Sequence, residues 1–222
     1  MLIDTHCHLN FKAFEGKVEQ VIERAKKAGV EKIIVPGTNL ETSKKAVELT
    51  QKYDEVYAAV GIHPHHAGEI RNPRSEILNK LKKVARSKKV VAIGECGLDY
   101  YQYKKTKYED YKISQDFKKK QKEIFELQIN LAKKLNLPLI IHNRKADKDL
   151  LDLLYRCIDT SIHPAKGVLH CFQGDNKLLN WTLENNFYIG ITGILTYSKK
   201  MQEVVKKTPL KNILIETDSP YL

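Results

Sequence analysis

The chain's 222 residues suffice for one large α/β domain, and their 42% hydrophobic content can fill a substantial core. No apolar run approaches a membrane span, and the amino terminus lacks the basic segment and apolar core of a signal peptide, which sets membrane and secreted proteins aside. Four cysteines without a CxxC pair fit a reduced, cytoplasmic protein, and a net charge of +11 at pH 7 suits a polyanionic partner, although lysines scattered over helix surfaces give the same balance.

In chain order, the first predicted strand is LIDTH (2–6), whose pattern carries on to His8. Alternate side chains of a strand share a face, so His6 and His8 project together with Asp4 beside them. In VEQVIERAKKAG, Val18, Val21, Ile22 and Ala25 share a helical face and Gly29 is a good terminator. KIIVPG (32–37) reads as the second strand, ETSKKAVELTQKY as a helix and VYAAVGI (56–62) as the third strand. SEILNKLKKVARSKK is again helical, and VVAIGEC (90–96) is the fourth strand.

Residues 101–117, YQYKKTKYEDYKISQDF, form an irregular insertion whose interleaved tyrosines and lysines suit stacking and phosphate contacts with a nucleic acid strand. The longest predicted helix runs from Lys118 to Leu135, with Ile124, Leu127, Leu131 and Leu135 as its buried stripe. LPLIIH (137–142), GVLHCF (167–172), FYIGITG (187–193) and NILIETD (212–218) complete eight strands. Eight strands with helical crossovers predict a parallel (β/α)8 barrel. An open doubly wound sheet is the alternative, but no GxGxxG follows the first strand.

The chain stops four residues after the eighth strand, so the expectation is a single barrel domain over 1–222, C-terminally truncated and lacking the usual last helix. Such a barrel leaves apolar surface at the seam between its last and first strands.

The strand ends collect the chemistry. His6 and His8 end the first, His63 and His65 the third, Glu95 and Asp99 the fourth, His142 the fifth, His170 the sixth, and Glu216 and Asp218 the eighth. In a parallel barrel these ends share one rim. Each residue alone is an unremarkable structural group, but several carboxylates buried together need cations to neutralise them. Imidazoles with carboxylates suit Zn²⁺, Mn²⁺ or Fe²⁺, whereas Mg²⁺ prefers an oxygen-richer shell.

The motifs IDTHCHLN (3–10), VGIHPH (60–65), IGECGLDYY (93–101), LPLIIHNRKA (137–146), GVLHCFQG (167–174) and ILIETDSPYL (213–222) resemble the TatD family of metal-dependent deoxyribonucleases, within the amidohydrolase-like barrels. The resemblance spans essentially the whole chain. It implies two divalent ions (Mg²⁺, Mn²⁺ or Zn²⁺), with His6, His8 and Asp218 at one, His142 and His170 at the other, and Glu95 between them. A glutamate in that place bridges without the carboxylated lysine that many amidohydrolases use. Asp218 can also take a proton from the attacking water, so Asp218 and Glu95 are the expected catalytic pair.

Around these ligands, His63 and Arg144 are the expected substrate contacts, Arg144 through a bidentate grip on phosphate. Asp99 and Glu216 are expected to orient ligand histidines by hydrogen bonds, and Asp4 to support His6. His65 and His66 read as loop residues, and Cys7, Cys96 and Cys171 as small packed side chains. The expected activity is a 3′–5′ exonuclease on single-stranded DNA ends, acting as a monomer. A D-aminoacyl-tRNA deacylase, another amidohydrolase-like hydrolase and a non-catalytic nucleic acid binder are the rivals.

Overall fold

The computed structural model describes residues 1–70, 74–104, 112–158 and 166–222. Eight strands appear where β-branched runs predict them: β1 Leu2–Asp4, β2 Val30–Pro36, β3 Val56–Val60, β4 Val90–Asp99, β5 Leu139–Arg144, β6 Gly167–Leu169, β7 Tyr188–Ile191 and β8 Ile213–Ile215. All neighbouring pairs are parallel and follow chain order, the arrangement of a (β/α)8 barrel. The crossovers are α1 Val18–Lys27, α2 Leu40–Lys52, α3 Arg74–Val84, α4 Gln115–Leu135, α5 Asp147–Cys157, α6 Asn176–Glu184 and α7 Lys199–Lys207.

Short polar side chains start several of these helices. Asn39 and Thr42 form a reciprocal capping box on α2, while Ser114, Asp175 and Ser198 accept backbone N–H bonds at the starts of α4, α6 and α7. Helix α4 begins at Gln115 rather than Lys118, so its first turn belongs to the tail of the predicted insertion. Residues 105–111 of that insertion lie outside the described residues.

Backbone bonds close the seam between β8 and β1. The Thr5 N–H donates to Ile215 O (3.2 Å), the Asp218 N–H to His6 O (2.8 Å) and the His8 N–H to Ser219 O (2.8 Å). Asp4 reinforces the join: its carboxylate accepts from Thr217 Oγ1 at 2.7 Å and from the Thr217 N–H at 3.1 Å. Leu2, Ile3 and Ile215, on the strands that flank the seam, are exposed.

Ala59, Ala92, Ile140 and Val168 cluster with Ile34 and Leu214, so six strands contribute to a layer separate from the main core. Ile140 and Val168 lie two residues before His142 and His170, on the same strand face, which puts this apolar layer beneath the polar rim. The main core joins strands to helices around Phe125, Leu150, Leu154, Trp181 and Phe187.

Candidate metal centre

Three strands deliver a tight triangle of ligand atoms. Glu95 Oε1 is 2.9 Å from His142 Nδ1 and 2.9 Å from His170 Nε2, and the two ring nitrogens are 3.1 Å apart. A second cluster lies on the other side of the same carboxylate. His6 Nε2 and His8 Nε2 are 3.2 Å apart, and they lie 3.7 and 3.6 Å from Asp218 Oδ1 and 3.7 and 3.6 Å from Glu95 Oε2.

These spacings suit metal coordination. Ligands about 2.1 Å from an ion stand roughly 3.0 Å apart at an octahedral edge and roughly 3.4 Å apart at a tetrahedral one. The donor set is imidazole nitrogen and carboxylate oxygen, and Glu95 is only 3% exposed, so both clusters are shielded from bulk water. Among the described residues, His6 Nδ1 and His8 Nδ1 are buried without a hydrogen-bond partner. Either ring can therefore present Nε2 to a cation without giving up a bond on its far side.

Electrostatics prepares the same groups. Burial alone would raise the Glu95 carboxyl, but the adjacent His63 and His170 imidazoles and hydrogen bonds from His142 and His170 hold it well below its ordinary value. Burial would likewise raise Asp218, and its interactions with His8, His170 and His6 lower it instead. Both carboxylates are thus ionised. Burial pulls the His170 imidazole down, yet the carboxylates of Glu95 and Glu216 raise it well above normal. His6 goes the other way, lowered by burial and by the proximity of His170, whose ring stacks on it at 4.0 Å.

The local backbone explains how these side chains reach the centre. β1 ends at Asp4, earlier than the alternation to His8 predicts, but the parallel bridge from Cys7 to Ser219 extends its direction far enough for His6 and His8 to project together. β6 stops at Leu169, and Cys171 turns the chain with φ 43°, leaving His170 at the start of the turn. Asp218 also adopts a left-handed φ of 56°, which an Asp tolerates better than most residues. Gly97 has φ 137°, and a Cβ there would stand 2.0 Å from His142 O, so only glycine lets β4 approach the His142 backbone this closely.

Asp99 is fully buried and gathers three side chains on one oxygen: His65 Nε2 (2.9 Å), His142 Nε2 (3.2 Å) and Tyr103 Oη (2.8 Å). It stands behind His142, on the side of the ring away from Glu95. Glu216 accepts from the Cys171 N–H and lies 3.7 Å from His170 Nδ1, so it fixes the turn that carries His170 more than the ring itself. Asp4 accepts the backbone N–H of His6 at 3.1 Å, so its support of His6 acts through the main chain rather than the imidazole.

His63 Nε2 is 3.4 Å from Glu95 Oε1, and its Nδ1 accepts the His65 N–H at 3.2 Å. Burial drives its pKa well down, against the pull of Glu95, leaving a neutral ring. Arg144 ends β5 at the exposed rim and donates to Tyr103 Oη at 3.0 Å. Cys7 and Cys96 are buried, and burial pushes the Cys7 thiol up to about 12, in keeping with packed, unreactive side chains.

His65 departs from the sequence expectation. It is a buried residue bound to Asp99, not a loop residue, because the 3₁₀ turn that begins at Pro64 swings its ring back toward β4; His66, paired with Glu69 at the surface, behaves as expected. Two glutamines of α4 also escape a hydrophobic-stripe reading. Gln121 bonds both backbone groups of Asp99 at 2.9 Å, and Gln128 bonds both backbone groups of Ile62, next to His63, at 2.7 and 3.0 Å. Leu127 and Leu135, predicted for the buried stripe, are only partly buried.

A parallel barrel with histidines and carboxylates gathered on its C-terminal rim defines a metal-dependent hydrolase. The chain belongs to the TatD family: the family model for TatD related DNase matches residues 3–222. It is 42% identical to the metal-dependent hydrolase YabD of Bacillus subtilis, over 100% of this chain and 81% of that protein. Identity is 32% to the 3′-5′ ssDNA/RNA exonuclease TatD of Pantoea ananatis, over 100% and 80% of the two chains. The crystal structure of YjjV, a TatD homologue from Escherichia coli, superposes with a TM-score of 0.83 at 34% identity, covering 99% of this chain and 79% of that one.

Proposed function

We propose that this chain is a divalent-metal-dependent nuclease that removes nucleotides from the 3′ ends of single-stranded DNA, acting as a monomer in the cytoplasm. The observation that carries the reading is the division of Glu95, whose Oε2 belongs to the His6, His8 and Asp218 cluster and whose Oε1 belongs to the His142 and His170 cluster. That arrangement suits two ions, whose identity among Mg²⁺, Mn²⁺ and Zn²⁺ the ligand types leave open. Bound there, divalent ions supply Lewis-acid stabilisation of phosphoryl charge and activation of water.

The protein's own groups do the rest. Glu95 holds the two ligand sets in register. Asp218, ionised and at the edge of the centre, takes the proton of the attacking water. His63, whose Nδ1 is engaged by the His65 N–H, keeps its proton on Nε2 and donates it in a hydrogen bond to a phosphate oxygen. The +11 charge favours a polyanionic substrate, and a relative carries the name of a single-strand exonuclease. Four cysteines without a disulfide fit a reducing compartment, and no helix among the described residues is long and apolar enough to cross a membrane.

Hydrolysis of end-labelled single-stranded DNA with Mg²⁺ or Mn²⁺, with and without chelator, tests the reading. Release of mononucleotides that stops with chelator is expected. Folded, metal-loaded protein that leaves the DNA intact, while releasing amino acid from D-aminoacyl-tRNA, would overturn it.

A further inference from the structure

The ends of β4 and β5 carry a side-chain cluster that the metal ligands do not use. The Arg144 guanidinium lies over the Tyr101 ring at 4.2 Å and 5.0 Å from the centre of the Tyr103 ring. The two tyrosines meet edge to face at 5.0 Å, and Arg144 donates to Tyr103 Oη at 3.0 Å. Tyr101 is 38% exposed and Arg144 is exposed, so an aromatic and cationic surface faces solvent at the rim.

This surface is rigidly tied to the candidate centre. The Tyr101 N–H donates to Asp99 Oδ1 at 2.9 Å and Tyr103 Oη to Asp99 Oδ2 at 2.8 Å. Asp99 Oδ2 also binds His142 Nε2, and His142 Nδ1 reaches Glu95. The cluster is therefore one carboxylate away from a proposed ligand, and it is held in place before any substrate arrives. Preorganisation of this kind spares the cost of ordering long side chains on binding.

An exposed ring backed by a guanidinium plane has one chemical partner above all others, a flat π-system with a nearby negative charge. A nucleobase next to a phosphate is such a partner, and stacking accepts every base because each has a π-face. Bases inside a duplex have their faces covered by neighbours, so only an unpaired base can use the site. Arg144 already spends a donor on Tyr103 and sits over the Tyr101 ring, which suits stacking better than a bidentate grip on phosphate.

We propose that Tyr101, Arg144 and Tyr103 form a stacking platform for the unpaired base beside the scissile phosphate, giving the nuclease a preference for single strands without a preference for sequence. This rests on the nuclease reading above. It assigns a use to the aromatic and basic start of the insertion that composition alone left open.

The test uses metal-loaded, full-length protein and a short single-stranded DNA with 2-aminopurine as its penultimate 3′ base and a slowly cleaved phosphorothioate linkage at the end. Stacking quenches 2-aminopurine fluorescence, so quenching reads the proposed contact directly. The parent quenches the probe, Tyr101→Ala loses the quench and binds on the order of tenfold more weakly, and Tyr101→Trp restores both. Arg144→Lys, which keeps the charge and loses the plane, also weakens binding. Should Tyr101→Ala itself fold poorly, Tyr101→Leu keeps the bulk and must lose the quench in the same way. Equal quenching and affinity in the parent and in folded Tyr101→Ala or Tyr101→Leu, with the parent still cleaving ordinary DNA, would overturn the platform alone. A parent that cleaves no DNA would instead remove the nuclease reading on which it rests.

Discussion

Asp99 Oδ2 lies 3.2 Å from His142 Nε2, so the ring that turns Nδ1 toward Glu95 is held from behind by a fully buried carboxylate. Burial would raise the Asp99 carboxyl, but hydrogen bonds from His142 and His65 keep it ionised. Asp99→Ala frees the His142 ring and leaves His65 without its carboxylate. Metal affinity is expected to fall about 10- to 100-fold, measured by titrating Mn²⁺ into metal-free protein.

Gly97→Ala attacks the same strand pair from the backbone. The new Cβ meets His142 O at 2.0 Å in a conformation, φ 137°, that alanine rarely adopts. The variant is expected to lose more than about 2 kcal/mol of stability, seen as a lower denaturation midpoint, and to bind metal poorly.

The seam offers a different kind of test. Thr217 Oγ1 donates to Asp4 Oδ2 at 2.7 Å, joining residues 213 positions apart. Thr217→Val keeps the shape and removes the donor to a buried carboxylate. A loss of about 1–3 kcal/mol is expected in urea unfolding, with metal binding largely retained.

Metal binding is expected to weaken in acid. Despite burial, which pulls both down, neighbouring carboxylates raise the pKa of His142 and His170, so each ring keeps a proton to higher pH than an isolated histidine. That proton must leave before the nitrogen can bind an ion. Affinity for Mn²⁺ therefore falls progressively as the pH drops, beginning above the range in which an isolated histidine titrates, with proton release on binding detectable by calorimetry in buffers of different ionisation enthalpy. A flat profile would contradict the assignment of these two rings.

The barrel is legible because its strands are β-branched runs at regular spacing, and the clustering of the rim histidines because they fall at strand ends in one phase. Less visible were features created by chain segments meeting. His65 reads as a loop residue because nothing local reveals that the turn after Pro64 returns its ring to Asp99. Gln121 and Gln128 sit where a helix stripe calls for apolar groups, and their value lies in backbone partners on other elements, Asp99 and Ile62. The link from Asp4 to the backbone of Thr217 likewise exists only once the barrel closes. The Tyr101 and Arg144 contact arises from the side-by-side ends of β4 and β5, which periodicity cannot register.

Two ion sites joined through Glu95 must show in the metal stoichiometry. Calorimetric titration of Mn²⁺ into the metal-free parent is expected to give two ions per chain, and Glu95→Ala to lose at least one of them along with DNA hydrolysis. A parent that binds no ion, or a folded Glu95→Ala that binds as many ions as the parent with equal affinity, would rule out a site bridged by Glu95.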